Sequence, residues 1–424
     1  MTKLKLLLKG DSRRLIENIF SLSALNFINY LFPLILIPYL TRILGVEKFG
    51  LYAFSFAVIQ YCTLLVGYGF DFSATKFVAI NRDDNEKISK IFISATIIRI
   101  ILALVCILLI FLATNLFDKL RDEALLYIYG IGIFVGQALT PLWLFQGMEK
   151  MKYVTIINFV SKLTSTVLIF VFLKNQSDYI YVNLYFSVGF LIAGILSLIL
   201  AIKLFKIKFI IPKATFVFQQ LREGWHLFLS TVFMNFYRES NILILGALTN
   251  YTIVGYYAGA EKIIKAIQSI ISPISKALYP YFGRNFNTES KKEKALSRFF
   301  KFNKYYALSL FIIVVLVLLS SKFIVTHYLG KEFISSILNI QIMSLVILFG
   351  GLNYFLGIVG LVNLGFEKQF THSVFIAGTI SVISCLILAN IYSDKGAAIA
   401  IVIAEIVLFI LILFNYRKQN YLLK

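Results

Sequence analysis

The chain has 424 residues, 59% of them hydrophobic and 15% charged, with a mean hydropathy of +0.84. A soluble domain needs roughly 25% charged residues to cover its surface, so the two or three soluble domains that length alone suggests are excluded. Lys and Arg number 41 against 21 Asp and Glu, a formal net charge of +20, but the basic residues follow the loops of a membrane protein and argue against a nucleic-acid face.

Apolar runs long enough to cross a bilayer, about 20 residues at 1.5 Å rise each, recur from end to end. They predict spans at 15–41, 50–70, 91–116, 124–146, 153–173, 179–204, 224–248, 254–281, 304–327, 336–361, 371–391 and 397–415. Backbone groups in hydrocarbon must pair internally. Runs such as Ile312-Ile313-Val314-Val315-Leu316-Val317-Leu318-Leu319 do not alternate as strands of a membrane barrel do. The expected fold class is therefore all-α integral membrane, with about twelve transmembrane helices. Basic clusters mark the termini and the even-numbered loops: Lys3, Lys5, Lys9, Arg13 and Arg14, then Lys76, Arg82, Lys87 and Lys90, then Lys203 to Arg222, Arg284 to Lys304, and Arg417 and Lys418. The positive-inside rule then places both termini in the cytoplasm, and the basic loops add attraction to anionic lipid heads.

In chain order, span 1 reads as a retained signal-anchor, with Asn26 and Asn29 as interhelix glue. It leads into Leu44-Gly45-Val46, then Gly50-Leu51-Tyr52-Ala53. Asp71, after Gly69-Phe70, reads as a helix cap. Arg99 in span 3 and Lys162 in span 5 lie within snorkelling reach of the cytoplasmic end. With a third cation they could instead line one basic cavity. The basic loop around Lys206 to Arg222 divides the chain into an N-terminal bundle, 1–210, and a C-terminal bundle, 211–424.

Span 7 carries Asn235-Phe236-Tyr237-Arg238-Glu239-Ser240-Asn241 near its middle. A charge at bilayer depth costs about 2.5–3.5 kcal/mol on insertion scales, so Arg238 needs a reason. Either it faces a cavity and holds an anion, with Asn235 beside it, or it pairs with a carboxylate on another helix. Glu239 points about 100° away and does not simply neutralise it. Leu245-Gly246 and Val254-Gly255-Tyr256-Tyr257-Ala258 then echo the Leu44 to Ala53 pattern, at the half-chain offset expected of a parallel repeat. In span 8, Glu261 and Lys265 stand at i,i+4 and form a local pair or a coupling site. Asn353 in span 10 reads as interhelix glue. Glu405 in span 12 is a neutral acid in an apolar site or a cation-coupling site. Glu405, Glu261 and Glu239 are thus the ion-coupling candidates.

Cys62, Cys106 and Cys385 read as buried thiols, and no His pair has ligand spacing. With no GxxxxGK[ST] loop and no nucleophile or carboxylate pair, neither enzyme chemistry nor a cofactor is expected.

Phe32-Pro33-Leu34-Ile35-Leu36-Ile37-Pro38-Tyr39-Leu40-Thr41-Arg42-Ile43-Leu44-Gly45, followed by Phe49-Gly50-Leu51-Tyr52-Ala53-Phe54, resembles the opening of the polysaccharide-biosynthesis flippase (Wzx, O-antigen transporter) family. Val254 to Ala266, running on to Pro273-Ile274-Ser275-Lys276-Ala277-Leu278-Tyr279-Pro280, resembles its second-half segment, and Gly396-Ala397-Ala398-Ile399-Ala400 before Glu405 its last span. The resemblance implies a MATE-like fold of two pseudo-symmetric six-helix bundles in the bacterial inner membrane. It implies transfer of undecaprenyl-pyrophosphate-linked oligosaccharide units, of O-antigen or capsule type, by alternating access through a cationic cavity, alongside a glycan polymerase and chain-length regulator. Arg238, with Arg99, Lys162 and Asn235, is the expected substrate contact. The alternatives are a MATE-like drug/cation antiporter, whose site should be richer in carboxylates, and a membrane glycan polymerase, whose large outer loop is missing here.

Overall fold

A computed structural model describes the backbone of residues 11–286 and 289–419, and their side chains apart from 11–20, 22, 23, 72, 223, 226, 227, 230, 231, 233–238 and 289–291. Among the described residues there is no strand. The helices are α1 (Asp11–Gly67), α2 (Phe70–Ile80), α3 (Asn85–Leu116), α4 (Asp118–Arg121) and α5 (Ala124–Ile128). They continue as α6 (Ile131–Leu139), α7 (Leu142–Gly147), α8 (Met151–Phe172) and α9 (Val182–Leu204). The last five are α10 (Ala214–Leu248), α11 (Tyr251–Phe286), α12 (Glu289–Ile324), α13 (Ser336–Asn353) and α14 (Glu367–Lys418).

Eight helical segments among the described residues are long and apolar enough to cross a membrane. Two of them contain a sharp break. Helix α1 turns at Gly45 (φ 67, ψ −179), where the lack of Cβ makes positive φ accessible. Helix α14 turns at Ser393 (φ 54, ψ −128), which is strained for a non-glycine residue. Expected spans 224–248 and 254–281 fall within α10 and α11, the helices that carry Glu239, Glu261 and Lys265.

Helix α3 shows how sequence makes such a span. Asp84 precedes it and its carboxylate accepts the Lys87 backbone N–H at 3.0 Å, closing the N-terminus. That bond holds the Asp84 carboxyl below the usual carboxylate range. Only 33% of the most apolar α3 window is buried, and Leu104, Leu108 and Phe111 are exposed. An apolar band of this length, uncovered by protein, is a lipid-facing surface.

The chain forms two compact units. The first takes residues up to Leu36 and Ser55–Val232. Its core gathers Phe70, Ile91, Phe92, Trp143, Phe145 and Phe205. Helices α6 and α9 approach closely because small residues meet backbone: a Cβ on Gly136 would lie 2.3 Å from the Phe190 carbonyl oxygen, and one on Gly194 2.5 Å from that of Gly136. Buried Asn183 donates to Ser55 Oγ (3.0 Å) and the Leu126 carbonyl (2.9 Å).

The second unit takes Ile37–Phe54 and Phe233 onward. Phe299 and Phe355 stack at 4.7 Å, with Phe282 and Tyr306 packed around them. Tyr416 Oη donates to the Leu356 carbonyl at 2.8 Å, and Asn339 Nδ2 to Asp394 Oδ2 at 2.6 Å, both buried. After Asn353, α13 widens into a π-helix over Tyr354–Val362.

Candidate functional site

Three charged residues of the second unit, Glu239, Glu261 and Lys265, meet on one face of α11. Glu261, Lys265 and Gln268 are spaced i, i+4, i+7 and share a stripe about 10 Å long. Lys265 Nζ lies 2.9 Å from Glu239 Oε1 on α10 and 3.3 Å from Glu261 Oε1. The local pair read from sequence is present, and Glu239 joins it as a second carboxylate. Lys265 and Glu239 are 39% and 37% exposed in their side chains, whereas Glu261 is 5% exposed. Glu261 Oε2 is buried and has no hydrogen-bond partner among the described residues. One turn earlier, Asn241 Nδ2 donates to Tyr257 Oη at 3.0 Å. If α10 and α11 span the membrane as expected, a partly exposed ion pair between them faces a water-filled cavity rather than acyl chains.

At the other end of the stripe stands Glu405, which is buried. Asn353 Nδ2 donates to its Oε2 at 2.7 Å and to its carbonyl oxygen at 2.9 Å. Asn353 sits where α13 passes into the π-helix, a distortion that recurs at functional positions. Gln268 Nε2 donates to the Val346 carbonyl at 3.1 Å. A Cβ on Gly350 would lie 2.9 Å from Gln268 Nε2 and 3.6 Å from Glu405 Oε2. Gly350 therefore lets the amide and the carboxylate flank one small space. Asn353 does glue helices, but its partner is the coupling candidate itself.

Arg238 and Asn235 lie on α10 immediately before Glu239, and their side chains are outside the described residues. In the first unit, Arg99 does not snorkel. Its guanidinium is buried and Nη1 donates to the Thr140 carbonyl at 2.8 Å. Helix α6 ends there before Pro141, inside expected span 124–146, and the Thr140 carbonyl also accepts the Leu142 N–H at 3.0 Å. Lys162 is half-buried on α8 and shares no partner with Arg99 among the described residues. Asp71 does not cap α2, whose N-cap is Gly69 with no side-chain bond.

Gln268 and the Glu239 contact escaped the sequence reading. The i+7 spacing from Glu261 could have found the first; nothing in sequence specifies the cross-helix second. Among the described residues no group of three His, Cys, Asp or Glu could hold a metal, and the three cysteines are buried and free.

Residues 15–286 match the family model described as polysaccharide biosynthesis protein. The chain belongs to that family. Within it, the chain is 28% identical over 411 residues to the Escherichia coli (strain K12) protein named "Putative O-antigen transporter", covering 96% of this chain and 97% of that protein. A Shigella dysenteriae protein of the same name is 28% identical over 401 residues, covering 94% and 98%. Among solved structures, this family member resembles the lipid II flippase MurJ in an inward closed conformation, with a TM-score of 0.72, 16% identity, and 96% and 89% of the two chains covered. It also resembles an inward-facing multidrug resistance MATE family transporter of the MOP superfamily, with a TM-score of 0.70, 15% identity, and 95% and 98% covered. The fold is thus MurJ- and MATE-like, an all-α transporter fold.

Proposed function

We propose that this polysaccharide biosynthesis protein is a flippase for undecaprenyl-pyrophosphate-linked oligosaccharide units, of O-antigen or capsule type, working by alternating access across the bacterial inner membrane. The observation that carries the reading is the partly exposed Glu239–Lys265 pair, which joins expected spans 224–248 and 254–281 and adjoins Arg238. Such a pair implies an aqueous cavity on this face. The two relatives named for O-antigen transport support the cargo. A glycolipid head is strongly hydrated, so a polar cavity lowers its desolvation barrier while the polyprenyl tail stays in lipid.

In this reading twelve spans form two bundles, 1–210 and 211–424, with both termini cytoplasmic. Arg238 and Asn235 supply the cationic side of the path. A guanidinium presents a planar fork of donors to phosphate oxygens, which suits Arg238 to the pyrophosphate. Glu239, Glu261 and Glu405 are the groups through which an ion gradient acts. A glycan polymerase and chain-length regulator work on the delivered units. No covalent step is required of the chain.

The test is Arg238→Ala expressed at the wild-type membrane level. Loss of surface glycan with normal insertion supports the assignment; normal glycan removes Arg238 from the path.

A further inference from the structure

Two helix breaks in the first unit lie on either side of a buried arginine that the transport stripe does not use. The first is Tyr68–Gly69, where both residues are left-handed (φ 45 and 71) between the end of α1 and the start of α2. Tyr68 is anchored at both ends: its hydroxyl donates to the Leu221 carbonyl at 3.1 Å, and its ring stacks on Phe228 at 4.9 Å. The second break is Thr140–Pro141, whose carbonyl receives Arg99 Nη1.

Arg99 is 1% exposed, yet its Nε and Nη2 have no hydrogen-bond partner among the described residues. Asp71, in the first turn of α2, has a buried Oδ1 that is equally unpartnered among the described residues. The Arg99 charge acts on the Asp71 carboxyl through space, with no hydrogen bond between the two among the described residues. An unsatisfied buried donor or acceptor costs about 1–3 kcal/mol, and more when charged. One movement would satisfy both groups, because a carboxylate fits the Nε and Nη2 edge of a guanidinium in a two-bond fork. The left-handed pair Tyr68–Gly69, one residue before Asp71, is where the backbone can supply it.

We propose that Asp71 and Arg99 form a titratable latch: Asp71 holds a proton in the conformation described here, and releases it to water on seating against Arg99 as the Tyr68–Gly69 hinge turns. The ligand of this site is the proton. Burial pushes the Asp71 carboxyl above its ordinary range, with the Arg99 charge opposing. Helix α2 packs chiefly on α7, which has no ionisable side chain, and on α3. On α3, Lys90 pairs with Glu86 and Lys87 with Asp84 at exposed positions, which leaves Arg99 as the cation acting on Asp71. Along the chain, Tyr68 has its hydroxyl bonded to a carbonyl, and Lys76, further along α2, is exposed. The ion pair belongs to the deprotonated form, so the latch is closed above the Asp71 pKa and opens as pH falls through it.

The latch bears on transport only through the flippase reading, and its test requires no glycan. Hydrogen exchange of the segment 68–80 is followed in the full chain in nanodiscs between pH 5 and 8, corrected for intrinsic rates. Wild type should gain about ten-fold protection as pH rises, while Asp71→Asn should stay at the low-pH level throughout. Asp71→Glu, which keeps the charge, should restore the response, and Arg99→Gln should remove it. A pH response that persists in Asp71→Asn or in Arg99→Gln overturns the latch and leaves the flippase assignment untouched.

Discussion

Gly50 and Gly255 occupy equivalent places in the two echoes of the sequence, and each fits against the other's strip of backbone. A Cβ on Gly50 would lie 1.8 Å from the Tyr251 carbonyl oxygen and 2.6 Å from the Gly255 nitrogen. A Cβ on Gly255 would lie 2.2 Å from the Val46 carbonyl oxygen. The spacing from Val46 to Tyr251 equals that from Gly50 to Gly255, so the contact is reciprocal, as across a two-fold axis. Both glycines belong to the second unit, where Ile37–Phe54 packs with the C-terminal helices. Gly246 continues the pattern, because a Cβ there would meet the Phe54 ring at 2.0 Å.

Gly50→Ala and Gly255→Ala should each lower thermal stability, because the opposing atoms are backbone and cannot rotate away. Overpacking of this kind costs about 1–3 kcal/mol. The double variant should lose less than the two losses combined, since one separation of the segments relieves both clashes. Thermal melting of the four proteins in detergent measures this; full additivity would mean the two sites do not share one contact.

Lys265→Met should destabilise the second unit by removing the cation between Glu239 and Glu261. Breaking a buried pair costs about 3–5 kcal/mol, and the partial exposure of Lys265 and Glu239 reduces this to about 1–3 kcal/mol. Most of the loss comes from leaving buried Glu261 without its counter-ion. Adding Glu261→Gln to Lys265→Met should therefore recover stability. The melting temperatures of the single and double variants check the sign.

Gly350→Leu should block export with little loss of folded protein. A Cβ there already meets the movable end of Gln268 at 2.9 Å, and a larger group would fill the space beside Glu405. Gly350→Ala should be milder, because Gln268 can swing aside. Surface glycan yield at matched membrane expression distinguishes the two, and equal yields would show that this space is not on the path.

The eight long apolar segments were legible because hydropathy alone decides them; α10 and α11, which carry the charged stripe, are not among the eight. The kinks were legible only in part: Gly45 marks one, but Ser393 carries no comparable signal. The Glu261–Lys265 pair followed from i,i+4 spacing, whereas Glu239 joins it from another helix, and hydropathy does not fix how one span is rotated against the next. The same gap explains Arg99 and Asp71. Snorkelling is the expectation for Arg99 because an uninterrupted helix offers a side chain no acceptor, yet the break at Thr140–Pro141 turns the Thr140 carbonyl toward Arg99. Asp71 was read as a cap, but Gly69 takes that place and leaves the carboxylate facing inward. The repeat was visible as a pattern of Gly and Tyr; that its two copies touch was not.

The most direct test of lipid-linked transport is deletion of the gene in its native bacterium, followed by assay of surface polysaccharide and of the leaflet that holds the polyprenyl-linked repeat units. A flippase predicts loss of surface glycan with single units retained on the cytoplasmic leaflet. Units accumulating on the outer leaflet, or unchanged glycan with altered drug tolerance, would contradict it and point to a polymerase or an antiporter respectively.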